Sequence, residues 1–375
     1  MKKKMLFLYL KTGGGHFSAA KSIKDYLMST YDDMEIVLGD GLENGNKVVR
    51  AIIEDGYRLS QSIALWVYEL LYGFHKVKPI SKMTTKIVSN FIKPKIKEFI
   101  ENHNPEKIVI FHFFLVDPVL KVLKEMKVNI PVLTVVTDPY TAHPMWFMHK
   151  NLKYILFSEE VLENSARKMK ISDDNVQIFP YILNEKFRYD ENVKPDDLKN
   201  KLGFELNKDV VLLMGGGDGI PKGEKILKNL LAELPNVEYA VVCGRDKQLY
   251  STIEDLKISN NLENIKIFGY IDNVNELMII SDIVISKCGP STFMEILLSK
   301  KVPVISSYIW EQEKGNVDFL KDNQLGIYEN NIKKIPQVVS KLLNDVEYRN
   351  SFLDSINKTS LENGTSKVGD FIHNY

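Results

Sequence analysis

Cysteine is almost missing from this chain: Cys243 and Cys288 are the only two in 375 residues, and they stand far apart. That excludes a disulfide framework and any cysteine-based metal spacing, and it fits a reducing cytoplasm. An excess of either charge is missing too. Lysine plus arginine and aspartate plus glutamate balance at 49 each, so the whole chain points neither to nucleic acid as a partner nor to an acidic tail. No stretch approaches the roughly 18 consecutive apolar residues of a membrane-crossing helix. The basic, apolar opening "MKKKMLFLYL" has an apolar run of about six residues, short of a secretory leader's 7–15, and no small-residue cleavage site follows. It reads as a first β-strand. A soluble or at most peripheral protein is expected, with no short repeat or low-complexity tract.

What is present is an alternation. Short apolar runs occur at 5–10, 35–38, 107–114, 131–137, 154–157 and 176–179, then at 209–214, 237–242, 265–268, 282–286 and 302–306, with longer amphipathic stretches between. Continuous apolar strands imply sheets covered on both faces, and strands alternating with helices imply parallel βαβ units. The polar stretch 184–203 separates the two series. The expected architecture is α/β, two Rossmann-like domains of 1–188 and 189–375, the last helix packing back on the first. Ligands in such sheets sit beyond the carboxyl ends of the strands, so a cleft between the domains is the expected site.

Six stretches stand out. In "LFLYLKTGGGHFSAA" (6–20) a strand runs into glycines and then a helix, so Gly14 and Gly15 let a ligand approach the backbone and His16 stands at the helix mouth. Gly13 and Gly15 also match part of a dinucleotide fingerprint, with Asp40 as its ribose ligand, although Ser18 stands at the third glycine position. "LLMGGGDGIPKG" (212–223) presents Gly215, Gly216 and Gly217 after a strand; it lacks the closing Gly-Lys-Ser/Thr of a Walker loop but still offers backbone N–H groups to phosphate. "SKCGPSTFMEI" (286–296) runs strand, Gly289-Pro290-Ser291-Thr292 turn, helix, with Glu295 one turn inside; Ser291 and Thr292 suit an anion, or serve merely as N-caps. "IWEQEKGNVDFL" (309–320) gathers Gln312, Glu313 and Asn316 at another strand end, in a pattern suited to a hydroxyl-rich ligand. In "TVVTDPYTAHPMWFMH" (134–149), Asp138, His143 and His149 have no standard zinc spacing, and no metal site is expected. Residues 74–97 hold seven lysines and no acidic residue after the apolar "ALWVYELLYGF" (64–74), a segment suited to an anionic membrane surface or to a solvated helix face.

Taken in order, these motifs resemble the monogalactosyl- and glucosyl-diacylglycerol synthase group of GT-B glycosyltransferases (family 28-like). "GGGHFSAA" is similar to the group's opening, "TDPYTAHPMW" to its Thr-Asp…His-Pro-x-Trp segment, "KCGPSTFMEI" to its Lys-x-Gly-Pro-Gly-Thr-x-x-Glu motif and "EQEKGNV" to its Gln-Glu-x-Gly-Asn segment. The resemblance implies a GT-B fold and transfer of a hexose from a UDP-sugar to a diacylglycerol-type lipid. It makes His16 the general base and sets Asp138 beside it as a second catalytic candidate. Gly215, Gly216, Gly217, Gly289, Pro290, Ser291 and Thr292 would border the diphosphate, Glu295 the ribose, Phe268 and Tyr270 the uracil, and Gln312, Glu313 and Asn316 the sugar. Ser291 and Lys314 depart from the group's usual glycine and glutamate, which bears on the identity of the sugar.

Helix N-termini and glycine loops would stabilise the leaving diphosphate without a metal. Neutral His16, near its ordinary pKa, would take the acceptor's proton during an inverting displacement. The enzyme is expected on the inner face of the cell membrane. The rival readings are a nucleotide-sugar epimerase, a nicotinamide-dependent dehydrogenase resting on Gly13, Gly15 and Asp40, and a non-catalytic nucleotide-sugar sensor.

Overall fold

The apolar runs form strands because both of their faces are covered. In β1 (Lys3–Tyr9), Leu6, Phe7 and Leu8 are consecutive and fully buried, which leaves no solvent face for polar alternation. The computed structural model describes residues 2–11, 14–43, 78–187, 190 and 192–375, so Gly13 and residues 64–77 of the basic segment lie outside the described residues. The chain divides into two units: Met1–Asn184 with Trp310–Gln312 and Asn363–Tyr375, and Glu185–Ile309 with Glu313–Glu362.

The first unit holds a parallel six-stranded sheet in the order β2-β1-β3-β4-β5-β6, with β2 at Met34–Asp40, β3 at Lys107–Ile110, β4 at Val132–Val135, β5 at Lys153–Leu156 and β6 at Val176–Ile178. Strand order reverses between β1 and β3, so the loops leaving those strands open a crevice at their carboxyl ends. The chain after β1 enters the helix Gly15–Thr30 with His16 in its first turn. The apolar run expected at 107–114 ends earlier as a strand: after Ile110 the chain turns, and His112 caps a 3₁₀ turn at Phe113–Leu115.

The second unit repeats the plan with its own sheet, β12-β11-β10-β7-β8-β9. Here β7 is Val210–Met214, β8 Glu238–Val242, β9 Ile265–Phe268, β10 Ile283–Lys287, β11 Val302–Ser307 and β12 Ile327–Tyr328. Every pairing is parallel, and the order reverses between β7 and β10. The glycine cluster leaves β7, and the Gly-Pro-Ser-Thr turn leaves β10. Two-residue β12 has too little apolar pattern to be read from the sequence.

The C-terminal helix Thr365–Asn374 belongs to the first unit and packs on the helix Gly15–Thr30. Tyr26 and Tyr31 both donate to Asp370, at 2.8 and 2.9 Å, and the Tyr31 and His373 rings stack 3.9 Å apart. Buried Lys107 donates to the Ile372 carbonyl, so its charge is met at the negative end of that helix. Among the described residues no helix is long and apolar enough to cross a membrane.

Candidate active site

In the first unit, three loops at the carboxyl ends of β1, β3 and β4 converge on one histidine. The Thr137 hydroxyl lies 2.7 Å from His16 Nδ1, and the Phe111 backbone makes a second hydrogen bond with the ring. The ring centroids of His16 and His112 are 4.6 Å apart at 65°, and Trp146 lies 6.3 Å from His16. Burial pushes the His16 pKa down to about 4, against the Phe111 bond, which raises it. The expectation of an ordinary histidine pKa is thereby overturned. Desolvation disfavours the imidazolium, so the ring is neutral throughout the neutral pH range.

Asp138 follows Thr137 and is buried. Its Oδ2 accepts the indole N–H of fully buried Trp146 at 2.8 Å. The loop carrying both residues is pinned from behind, as Tyr181 donates to the Thr137 carbonyl at 3.1 Å and Ser158 to the Pro139 carbonyl at 2.6 Å. His143 Nδ1 accepts the Met145 amide at 3.1 Å and caps the 3₁₀ turn Pro144–Phe147, a structural use of that ring. Asp40 is also engaged locally: it accepts from the Leu42 amide at 3.0 Å and pairs with Lys11 at 3.2 Å.

In the second unit, the loops of β7 and β10 meet at the strand-order reversal. Gly216 adopts φ +81°, a conformation side chains rarely tolerate, and the Thr292 hydroxyl lies 3.4 Å from where its Cβ would stand. The helix Pro290–Leu298 begins there with Gly289 as N-cap and Pro290 at its first position. Ser291 and Thr292 therefore sit inside the first turn, and the N-cap reading of either residue does not hold. Their hydroxyls and the backbone N–H groups of that turn form an anion-suited end. Burial raises the half-buried Glu295 carboxyl, one turn on, to about 7, with Lys186 opposing the rise.

Glu313, almost fully buried, takes two partners: Lys287 Nζ at 2.9 Å and the Ile309 amide at 2.7 Å. Buried Asn316 donates to the Cys288 carbonyl at 2.9 Å. These residues thus build the floor behind the Gly289 turn. Gln312 precedes them in the chain, half-buried, its amide bonded to the Trp310 carbonyl at 2.7 Å. Lys314 is exposed and pairs with Asp318 along its own helix. Phe268 ends β9 half-buried, and Tyr270 two residues on is 57% exposed.

Two charged residues to which the sequence reading gave no role belong to this region. Arg245 lies over the Tyr270 ring at 4.5 Å, its Nη1 is 3.1 Å from where a Gly217 side chain would begin, and its amide donates to the Gly217 carbonyl. It joins the glycine loop to the Phe268–Tyr270 segment. Lys287 is the partner of Glu313 beneath Gly289. The "CGRD" turn after an apolar run was the available signal for Arg245. Among the described residues, no three His, Cys, Asp or Glu side chains cluster as a metal ion would require.

Residues 16–180 match the family model for monogalactosyldiacylglycerol (MGDG) synthase, and residues 210–368 match the glycosyltransferase family 28 C-terminal domain. Monogalactosyldiacylglycerol synthase 2, chloroplastic, of Arabidopsis thaliana is 27% identical over 354 residues, 90% of this chain and 73% of the relative. The processive diacylglycerol beta-glucosyltransferase of Bacillus pumilus is 27% identical over 374 residues, 98% of this chain and 93% of the relative. The structure of Anabaena HepE in complex with UDP-glucose superimposes with a TM-score of 0.58 at 13% identity, covering 99% of this chain and 98% of that one. The chain belongs to the monogalactosyl- and glucosyl-diacylglycerol synthase group of GT-B, family 28-like glycosyltransferases.

Proposed function

We propose that this enzyme transfers a hexose from a UDP-sugar to the free hydroxyl of a diacylglycerol-type lipid, with inversion and without a metal. The observation that carries the reading is the junction of two anion-suited turns at the strand-order reversal of the second sheet, with a half-buried carboxyl one turn behind. The fold relative bound to UDP-glucose supports the donor class, and relatives named for diacylglycerol support the acceptor.

In this account Gly215–Gly217 and the Gly289–Thr292 turn hold the diphosphate, Glu295 accepts ribose hydroxyl protons, and Arg245 and Tyr270 border the base. Gln312, Glu313 and Asn316 shape the sugar end. The lipid oxygen attacks C1, the bond from C1 to the diphosphate oxygen breaks, and neutral His16 takes the hydroxyl proton as UDP leaves. Asp138, fixed by Trp146, keeps Thr137 and thus His16 in register. One displacement converts an α-linked donor to a β-linked product, in keeping with the relative named a beta-glucosyltransferase.

The enzyme works from the cytoplasmic face of the membrane as a peripheral protein. The helix Lys78–His103 supports this with Met83, Ile87 and Phe91, which are 60%, 52% and 46% exposed at four-residue spacing, beside exposed Lys86. That spacing puts all three on one face, apolar enough to enter a headgroup layer. Replacing His16 with alanine should remove at least 99% of turnover while UDP affinity stays within twofold. Turnover near that of the native chain would rule out His16 as the base.

A further inference from the structure

We propose that His112 is a positioning residue for the transfer: its ring, fixed by the Phe114 amide, braces the edge of His16 and holds that base in one orientation against Thr137. The inference rests on reading His16 as the base. His112 follows β3, the strand beside β1, so the reversal of strand order brings it to the same crevice as His16. Its Nδ1 accepts the Phe114 N–H at 3.2 Å, which leaves the ring proton on Nε2 and sets the tautomer. The side chain is 3% exposed, walled by Phe113 at 4.5 Å and Phe114 at 5.5 Å between ring centroids, with Trp146 at 6.4 Å. From that fixed seat it meets His16 edge to face at 4.6 Å.

Neither of the simpler roles needs an imidazole. Capping the 3₁₀ turn is served as well by asparagine, aspartate or serine. Filling the space is served by phenylalanine, without the cost of burying polar atoms. What the imidazole adds is both at once: a neutral ring against the base, held in one orientation by its own bond to the Phe114 amide. Burial and the neighbouring His16 both hold His112 well below the ordinary histidine pKa, burial the more strongly. When His16 gains the acceptor's proton, the new charge then forms beside a neutral polar ring and not beside a second cation.

The test compares His112→Asn, which keeps an oxygen acceptor for the Phe114 amide, with His112→Phe, which keeps a ring. Both are assayed as full chains on vesicles containing diacylglycerol, alone and combined with His16→Ala. Each single variant should lose at least tenfold in kcat with donor KM within twofold, and His112→Asn should melt close to the native chain. In the His16→Ala background, neither should slow the residual rate further. Transfer by His112→Asn within twofold of native would reduce His112 to a cap and overturn the proposal. An equal loss in both backgrounds would overturn it as well, because His112 would then act without His16. If His16→Ala is inactive while His112→Asn is normal, this inference fails alone. If the native chain transfers nothing, or His16→Ala transfers normally, the underlying reading fails with it.

Discussion

Two titrations define the chemistry at the scale of single residues, and they run in opposite directions. Desolvation depresses His16 to about 4, so its neutral form favours folding; that contribution is present above the ordinary value near 6.5 and is lost as pH falls toward 4. As the proposed base, His16 would thus be ready at any pH above about 5, and the rate should show no acidic limb from it in the neutral range. Glu295 is raised to about 7, so its neutral form is favoured in the fold; the stability it adds is present below its ordinary carboxylate range and is lost as pH rises through 7. In the proposed mechanism Glu295 accepts ribose hydroxyls and must then be ionised, so UDP binding would compete with a proton. Calorimetric titration with UDP should give about tenfold tighter binding at pH 8 than at pH 6, following the ionised fraction. Glu295→Gln should flatten that difference, and a flat profile in the native chain would remove Glu295 from the ribose.

At the scale of elements, what was legible depended on how much apolar pattern each one carries. Strands such as β1 and β7 show as runs because their apolar residues are covered on both faces. The run at 107–114 misled about its own end, since apolar Phe111, Phe113 and Phe114 continue the strand's composition through a turn that only the His112 cap reveals. For the same reason His112 stayed hidden: a single histidine inside an apolar run reads as part of the core. Arg245 was missed, and Lys287 went without a role inside its motif, because their partners, Tyr270 and Glu313, are distant in sequence and are brought near by the sheet. The exposed stripe of the helix Lys78–His103 makes a separate prediction. Full burial of one large apolar side chain contributes ~1.5–3 kcal/mol and each nearby lysine ~1 kcal/mol on an anionic surface. Changing Met83, Ile87 and Phe91 together to serine should therefore weaken co-sedimentation with anionic vesicles at least tenfold, without changing UDP affinity. Unchanged sedimentation would exclude this face as the membrane contact.

At the scale of the molecule, the sequence already showed the two-sheet plan and the order of its motifs, because each motif follows a strand and strands are its strongest signal. Local sequence could not show that Gly216 meets Thr292, or that Thr137 meets His16, since those approaches depend on where the strand order reverses. The account assigns the base to the first unit and the donor loops to the second, and its central claim is the transfer reaction itself. The most direct measurement incubates the purified chain with diacylglycerol vesicles and a panel of radiolabelled UDP-sugars, extracts the lipid, and determines the anomeric configuration of the product by NMR. The account predicts label in the organic phase from at least one donor, in β-linkage and undiminished by a chelator. Label that stays in water as free sugar or epimer while UDP binds tightly, or an α-linked lipid product, would contradict it.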